Sequence, residues 1–239
     1  MKARNLLKLY FLAGALCACL IANSAQADII TASADTYTRT GVNAGTATDL
    51  DVRGFGSGDF EAYIRFDLSG LTAPIQSATL KLRETAGSRN DGITLDRHEL
   101  HGLLNLPGNT PQDWDESIDL DPGAEYDNVG GNRLDLNQVV NLDAEDGADV
   151  VETVPGTDNV DVTTSGPDLV SFLNGRLGDG GLATFIVTIN ASGRGYGFAS
   201  RENADPNFVP MLDVTLVPEP ASLALLSLAV AGIGLARRS

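Results

Sequence analysis

Tyr63-Ile64-Arg65-Phe66-Asp67-Leu68 is the stretch on which the fold turns. A period of two puts Ile64, Phe66 and Leu68 on one face and Tyr63, Arg65 and Asp67 on the other, because successive side chains of an extended chain point to opposite sides. Leu80 and Leu82 alternate with Lys81 and Arg83 in the same way. Working outward, Asp28 to Ala32, Leu50 to Arg53, Leu95 to Leu103, Thr184 to Ile189, Gly197 to Arg201 and Met211 to Leu216 read as further short strands between Gly, Asp, Asn and Pro clusters. The one helical stretch runs from Gly166-Pro167-Asp168 to Leu177, with Pro near its start and Gly178 after its end. Many short strands with turns between them predict an all-β chain folded as an antiparallel β-sandwich, the helix serving as a crossover.

Both ends stand outside that fold. Residues 1–27 carry Lys2, Arg4 and Lys8, then an apolar run from Leu9 to Ile21, then Ala25-Gln26-Ala27, the layout of a secretory signal peptide that signal peptidase removes. The mature chain then starts at Asp28. Cys17 and Cys19 both lie in the apolar run, so the exported part has neither a disulfide nor a thiolate. At the other end Pro218-Glu219-Pro220 precedes sixteen uncharged residues, Ala221 to Ala236, and then Arg237-Arg238-Ser239. That order resembles the PEP-CTERM sorting signal of Gram-negative bacteria. The resemblance implies transient anchoring in the inner membrane through a hydrophobic transmembrane helix, the arginines on the cytoplasmic side as the positive-inside rule also expects, until an exosortase removes the segment. A permanent tail anchor is the alternative reading. Residues 28–217 are then the folded domain and 218–239 the sorting segment.

That domain holds 31 acids against 11 bases, ten of them arginines. A net charge of -20 repels phosphate and excludes nucleic acid as a partner. Residues 112–161 concentrate the asymmetry, with fifteen acids and one base, Arg133, among Asn, Gly and Pro. Such charge density cannot be buried, so this region reads as a long loop-built insertion with one or two strands at most. Trp114, the sole tryptophan, reads as packing the base of that loop onto the sandwich.

Several fragments in this order resemble the DNRLRE domain, a carbohydrate-binding-module family of bacterial polysaccharide lyases and surface proteins. They are Ala34-Asp35-Thr36-Tyr37, the block from Tyr63 to Leu71, Ile75 to Leu82, Trp114-Asp115-Glu116, Ser200-Arg201-Glu202 and Pro210-Met211-Leu212. The family's own string is absent, Leu82-Arg83-Glu84 being its nearest relative, and the acidic stretch after Trp114 is longer than typical. The resemblance implies a jelly-roll-like sandwich that binds a polysaccharide without cutting it. If Ile64, Phe66, Leu80 and Leu82 point inward, Arg65, Lys81 and Arg83 line one outer face, joined by Arg53, Arg39 and Arg201. Guanidinium groups there suit uronic-acid carboxylates or sugar hydroxyls, and Tyr63 beside Arg65 would stack on a pyranose ring. Alternatively, these bases pair with acids such as Asp67 and Glu84 on a plain surface.

Other constellations carry less chemistry. His98 and His101 fall on opposite faces of a strand and make no zinc pair. No Gly-x-Ser-x-Gly is present, and a charged loop does not hold two carboxylates at a glycosidase separation, so the reading is non-catalytic. Calcium is the cofactor that the composition suits, with Asp35 and Asp213 near the sandwich ends as candidate ligands, or Asp119, Asp121 and Asp127 in the loop. The expected function is binding of an extracellular polysaccharide at the cell surface or in the matrix of a Gram-negative bacterium. The alternative is a structural biofilm or envelope protein without a specific sugar site.

Overall fold

Alternation becomes architecture through strand pairing. The computed structural model describes residues 26–38, 44–53, 60–85, 98–105, 112, 114–116, 139–142, 161–189 and 195–218. Eleven strands and one helix lie among them: β1 (Ala27–Thr31), β2 (Ala34–Tyr37), β3 (Asp49–Arg53), β4 (Ala62–Asp67), β5 (Ile75–Arg83), β6 (His98–Leu103), β7 (Val139–Asn141), β8 (Asp161–Ser165), α1 (Pro167–Gly178), β9 (Leu182–Ile189), β10 (Gly195–Ala199) and β11 (Met211–Leu216). Sheet A has the order β1-β11-β5-β8 and sheet B the order β2-β4-β9-β6-β7. Every pairing is antiparallel, as expected for an all-β sandwich. A ribbon of β3 and β10 joins the end of β5 through a bridge between Glu84 and Phe198.

The two sheets face each other across one core. Ile64 and Phe66 of β4, Phe185 and Val187 of β9 and Leu100 of β6 meet Leu80 and Leu82 of β5 and Leu212 and Val214 of β11, with Leu50, Val52 and Phe198 of the ribbon closing one flank. These are the alternate residues that the period-two reading turns inward. β2 and β8 were not among the expected strands, while β7 lies within residues 112–161, where one or two strands were expected. Asp161-Val162-Thr163-Thr164-Ser165 has a single apolar residue, so its strand conformation rests on pairing with β5 rather than on its own pattern.

Helix α1 closes the sandwich near the start of β5. Leu169, Phe172, Leu173 and Arg176, at helical spacing, form its buried face. The Asn174 side chain donates to Ile75 O and accepts from Ile75 N, each at 2.9 Å, so it caps the first rung of β5. Arg176 donates to Leu182 O at 3.0 Å and to Asp179, fastening the helix end to β9. Gly102 is required by close approach, since a Cβ there would stand 2.6 Å from the Phe172 ring. Among the described residues no helix is long and apolar enough to cross a membrane. The signal peptide through Ala25, Arg39, Asp119, Asp121 and Asp127, and the sorting residues Glu219, Pro220, Arg237 and Arg238 lie outside the described residues, as does the apolar run from Ala221 to Ala236.

Candidate functional site

The expected basic strip does not exist as one surface. β4 belongs to sheet B and β5 to sheet A, and the sheets face each other, so their outward residues look in opposite directions. Tyr63 and Arg65 therefore lie on the far side of the sandwich from Lys81 and Arg83. Arg201 is on neither face but at a corner beside β2. The side chain of Arg53 lies outside the described residues.

On sheet B the outer face is covered. Gln112 and residues 114–116 lie across it, and Tyr63, 1% exposed, is packed under Trp114 with ring centroids 6.1 Å apart, edge to face. Arg65 is what holds that segment down. Its Nη1 donates to Trp114 O at 2.6 Å and to Gln112 O at 3.3 Å, and its guanidinium lies over the indole at 5.0 Å. Trp114 Nε1 donates to Thr184 Oγ1 at 3.0 Å. The Gln112 amide enters the ladder itself, accepting from Thr184 N and donating to Leu103 O, where β6 no longer pairs with β9. Tyr63 thus has no open ring face for a sugar, and the tryptophan does anchor the base of the acidic region, as expected.

The outer face of sheet A carries no covering segment among the described residues. Lys81 Nζ lies 2.9 Å and Arg83 Nη1 2.7 Å from the two oxygens of Asp161, the residue opposite Arg83 on β8. Burial pushes the Asp161 carboxyl up, but its hydrogen bonds to Lys81 and Arg83 and their charges outweigh this and hold it below the usual range. The Arg83 guanidinium rests 4.8 Å from the Phe208 ring centroid, and its Nε has no acceptor. Rows of hydroxyls continue the surface: Thr79 faces Ser165, and Lys81 faces Thr163. Asp213 is exposed on this face, between Ile29 and Thr79.

Asp35 and Asp213 are accordingly not brought together, because Asp35 sits on the edge strand of sheet B with its side chain turned inward in register with Ile64. Asp35 instead meets residues from two other motifs. Its Oδ2 accepts the Arg201 N–H at 2.7 Å, and its own N–H donates to Glu116 Oε2 at 3.1 Å. Arg201 bridges Glu116 at 3.1 Å and Glu202 at 2.6 Å and also donates to Ser33 O. Burial raises the Asp35 carboxyl to about 8; the Arg201 N–H opposes this, and the Glu202 and Glu116 carboxylates add to it. Ala-Asp-Thr-Tyr, Trp-Asp-Glu and Ser-Arg-Glu each contribute one acid to this corner. The residues were legible as motifs, whereas their meeting was not, and neither Asp161 nor Phe208 carried a sequence signal as a partner of Arg83.

The structure defines a β-sandwich with two unlike outer faces, one covered by a docked segment and one that no described segment covers, polar and carrying Lys81 and Arg83. Residues 26–102 match the carbohydrate-binding module family 96 model, and residues 216–238 match the PEP-CTERM protein-sorting motif. The first match points to carbohydrate binding and the second to exosortase-dependent export, the arrangement that the two sequence resemblances implied. No curated protein matches the chain.

Proposed function

We propose that the protein is an exported, non-catalytic polysaccharide-binding protein of the cell envelope or extracellular matrix, and that it holds its polymer on the outer face of sheet A. The observation that carries this reading is Arg83, standing beside Lys81 on a sheet face that no described segment covers, with an aromatic ring against its guanidinium. Lys81 beside it is 38% exposed, and Asp161 is shared between the two cations, so the pair holds its geometry and keeps one positive charge in excess. An extended polymer of sugar hydroxyls, neutral or acidic, fits a flat sheet lined by threonine and serine with donors at one end. Arg65 and Tyr63 leave the binding residues and become fasteners of the 112–116 segment. Arg201 joins the corner cluster.

Affinity electrophoresis of the purified protein through gels containing neutral and uronate polysaccharides tests this. Retardation on one class, lost in Lys81→Ala/Arg83→Ala with little change in melting, is the expected result. Equal mobility in every gel would favour the structural matrix protein, in which charge alone provides cohesion.

A further inference from the structure

Both ends of the folded chain leave at one pole of sheet A. Ala27 stands opposite Thr215, and the Leu216 N–H donates to Gln26 O at 2.8 Å, so the residues just before the mature start lie beside the first residue of the sorting motif. β11 ends at Leu216, which pairs with Ile75 at the start of β5, and the Val217 N–H donates to Pro74 O at 2.8 Å. Four residues, Val217 to Pro220, then separate the last rung from the apolar run. They reach at most about 14 Å, too short a span for the domain to swing freely.

This pole is pinned and poor in charge. Leu68 N–H donates to Gly181 O at 2.7 Å, Leu71 N–H donates to Leu68 O at 2.9 Å, and Asn174 brackets Ile75, so the loop from Ser69 to Pro74 is fixed at both ends. No charged residue occurs from Leu68 to Leu80 or from Val214 to Pro218, in a domain of 31 acids and 11 bases. Asp67 at the start of the loop and Asp179 on the turn that carries Gly181 are the acids beside it. An anionic lipid surface repels carboxylates, which makes this end of the sandwich the least costly to hold against it. The cations stand at the other pole. Arg83 is eight residues on from Ile75 along β5, about 26 Å at 3.3 Å per residue. Met211, at the start of β11, pairs with Lys81, so the turn from Arg201 to Phe208 is also at that far end.

We propose that, while the sorting segment is in the membrane, the domain stands upright on a lipid surface. The Ser69–Pro74 loop and Val217 meet the headgroups, and the Arg83–Phe208 end points away from them. Polymer bound on sheet A is then taken up clear of the bilayer. The inference rests on membrane anchoring through the sorting segment and not on polymer binding.

The exported chain has no cysteine, so Thr72→Cys and Ala204→Cys, both at exposed positions, report the two poles. Each variant is purified from the membranes of a host that removes the signal peptide and lacks an exosortase. It is labelled with a small fluorophore and reconstituted in phosphatidylethanolamine–phosphatidylglycerol vesicles, with and without a spin-labelled headgroup as quencher. Flotation with the vesicles establishes anchoring. The label at Thr72 is expected to lose most of its emission to the quencher, and the label at Ala204 to keep its emission. Quenching at Ala204 equal to or above that at Thr72 would overturn the orientation, by laying Lys81 and Arg83 on the anionic headgroups. Full emission at both positions would also overturn it, by placing the whole domain clear of the surface. A chain that fails to float would overturn the anchoring itself, and the inference with it.

Discussion

The backbone N–H of Arg201 donates to Asp35 Oδ2 at 2.7 Å across 166 residues of chain. That single bond joins the edge strand of sheet B to the turn that leads from the ribbon toward β11, and the side chain of Arg201 extends the junction to Glu116. Three short motifs that look independent in the sequence are one structural unit in the fold.

Arg65→Ala is expected to loosen the cover of sheet B, because the guanidinium supplies both backbone anchors of segment 112–116. Charge-assisted bonds to buried carbonyls put the loss at about 2–3 kcal/mol. Urea unfolding measures it. Trp114 emission should shift to the red in the native state, and polysaccharide retention should survive.

Trp114→Ala removes the indole that covers Tyr63 and leaves Thr184 Oγ1 without its donor. A cost of about 3–5 kcal/mol is expected. Trp114→Phe should recover most of it, which denaturation of the two variants side by side would show.

Gly102→Ala is expected to destabilise by about 1–3 kcal/mol, since the added methyl enters the Phe172 ring and the ring is held against Phe185 at 5.4 Å. Combining it with Phe172→Leu should cost less than the two single changes together. A double-mutant cycle of unfolding free energies reads the coupling.

Asp161 links stability to acid. Its carboxyl is held below the usual range, so the stabilisation is fully present above the unfolded carboxylate value near 4. It is lost as pH falls through the lower folded value. The melting difference between wild type and Asp161→Asn should therefore be constant from about pH 5 upward and close as the solution is acidified below 4. A difference that grew on acidification would contradict the pairing. The effect is modest, because the pair is partly exposed.

Much of the fold was legible from alternation. Ile64 and Phe66, Leu80 and Leu82, and Leu212 and Val214 are inward in the structure as their spacing requires. The helix was legible from its punctuation and from Leu169, Phe172 and Leu173. β8 was not, because a strand of Asp, Val, Thr, Thr and Ser acquires its conformation from the neighbour it pairs with. Of the site, the residue types were visible and their grouping was not: Arg65 and Arg83 look alike in sequence, yet one fastens Gln112 and Trp114 to sheet B and the other pairs with Asp161 on the opposite face.

The chain's own letters settle what is local: charge, the signal-like ends, which residues in each strand turn inward, and where turns break the strands. They settle nothing about which strand lies beside which, because a period of two distinguishes inside from outside but carries no record of the partner. β4 pairs with β2 and β9, while β5 pairs with β11 and β8. Those long-range hydrogen-bonded ladders alone decide that Arg65 and Arg83 face opposite ways, that Tyr63 is covered, and that Asp35 meets Arg201 and Glu116 rather than Asp213.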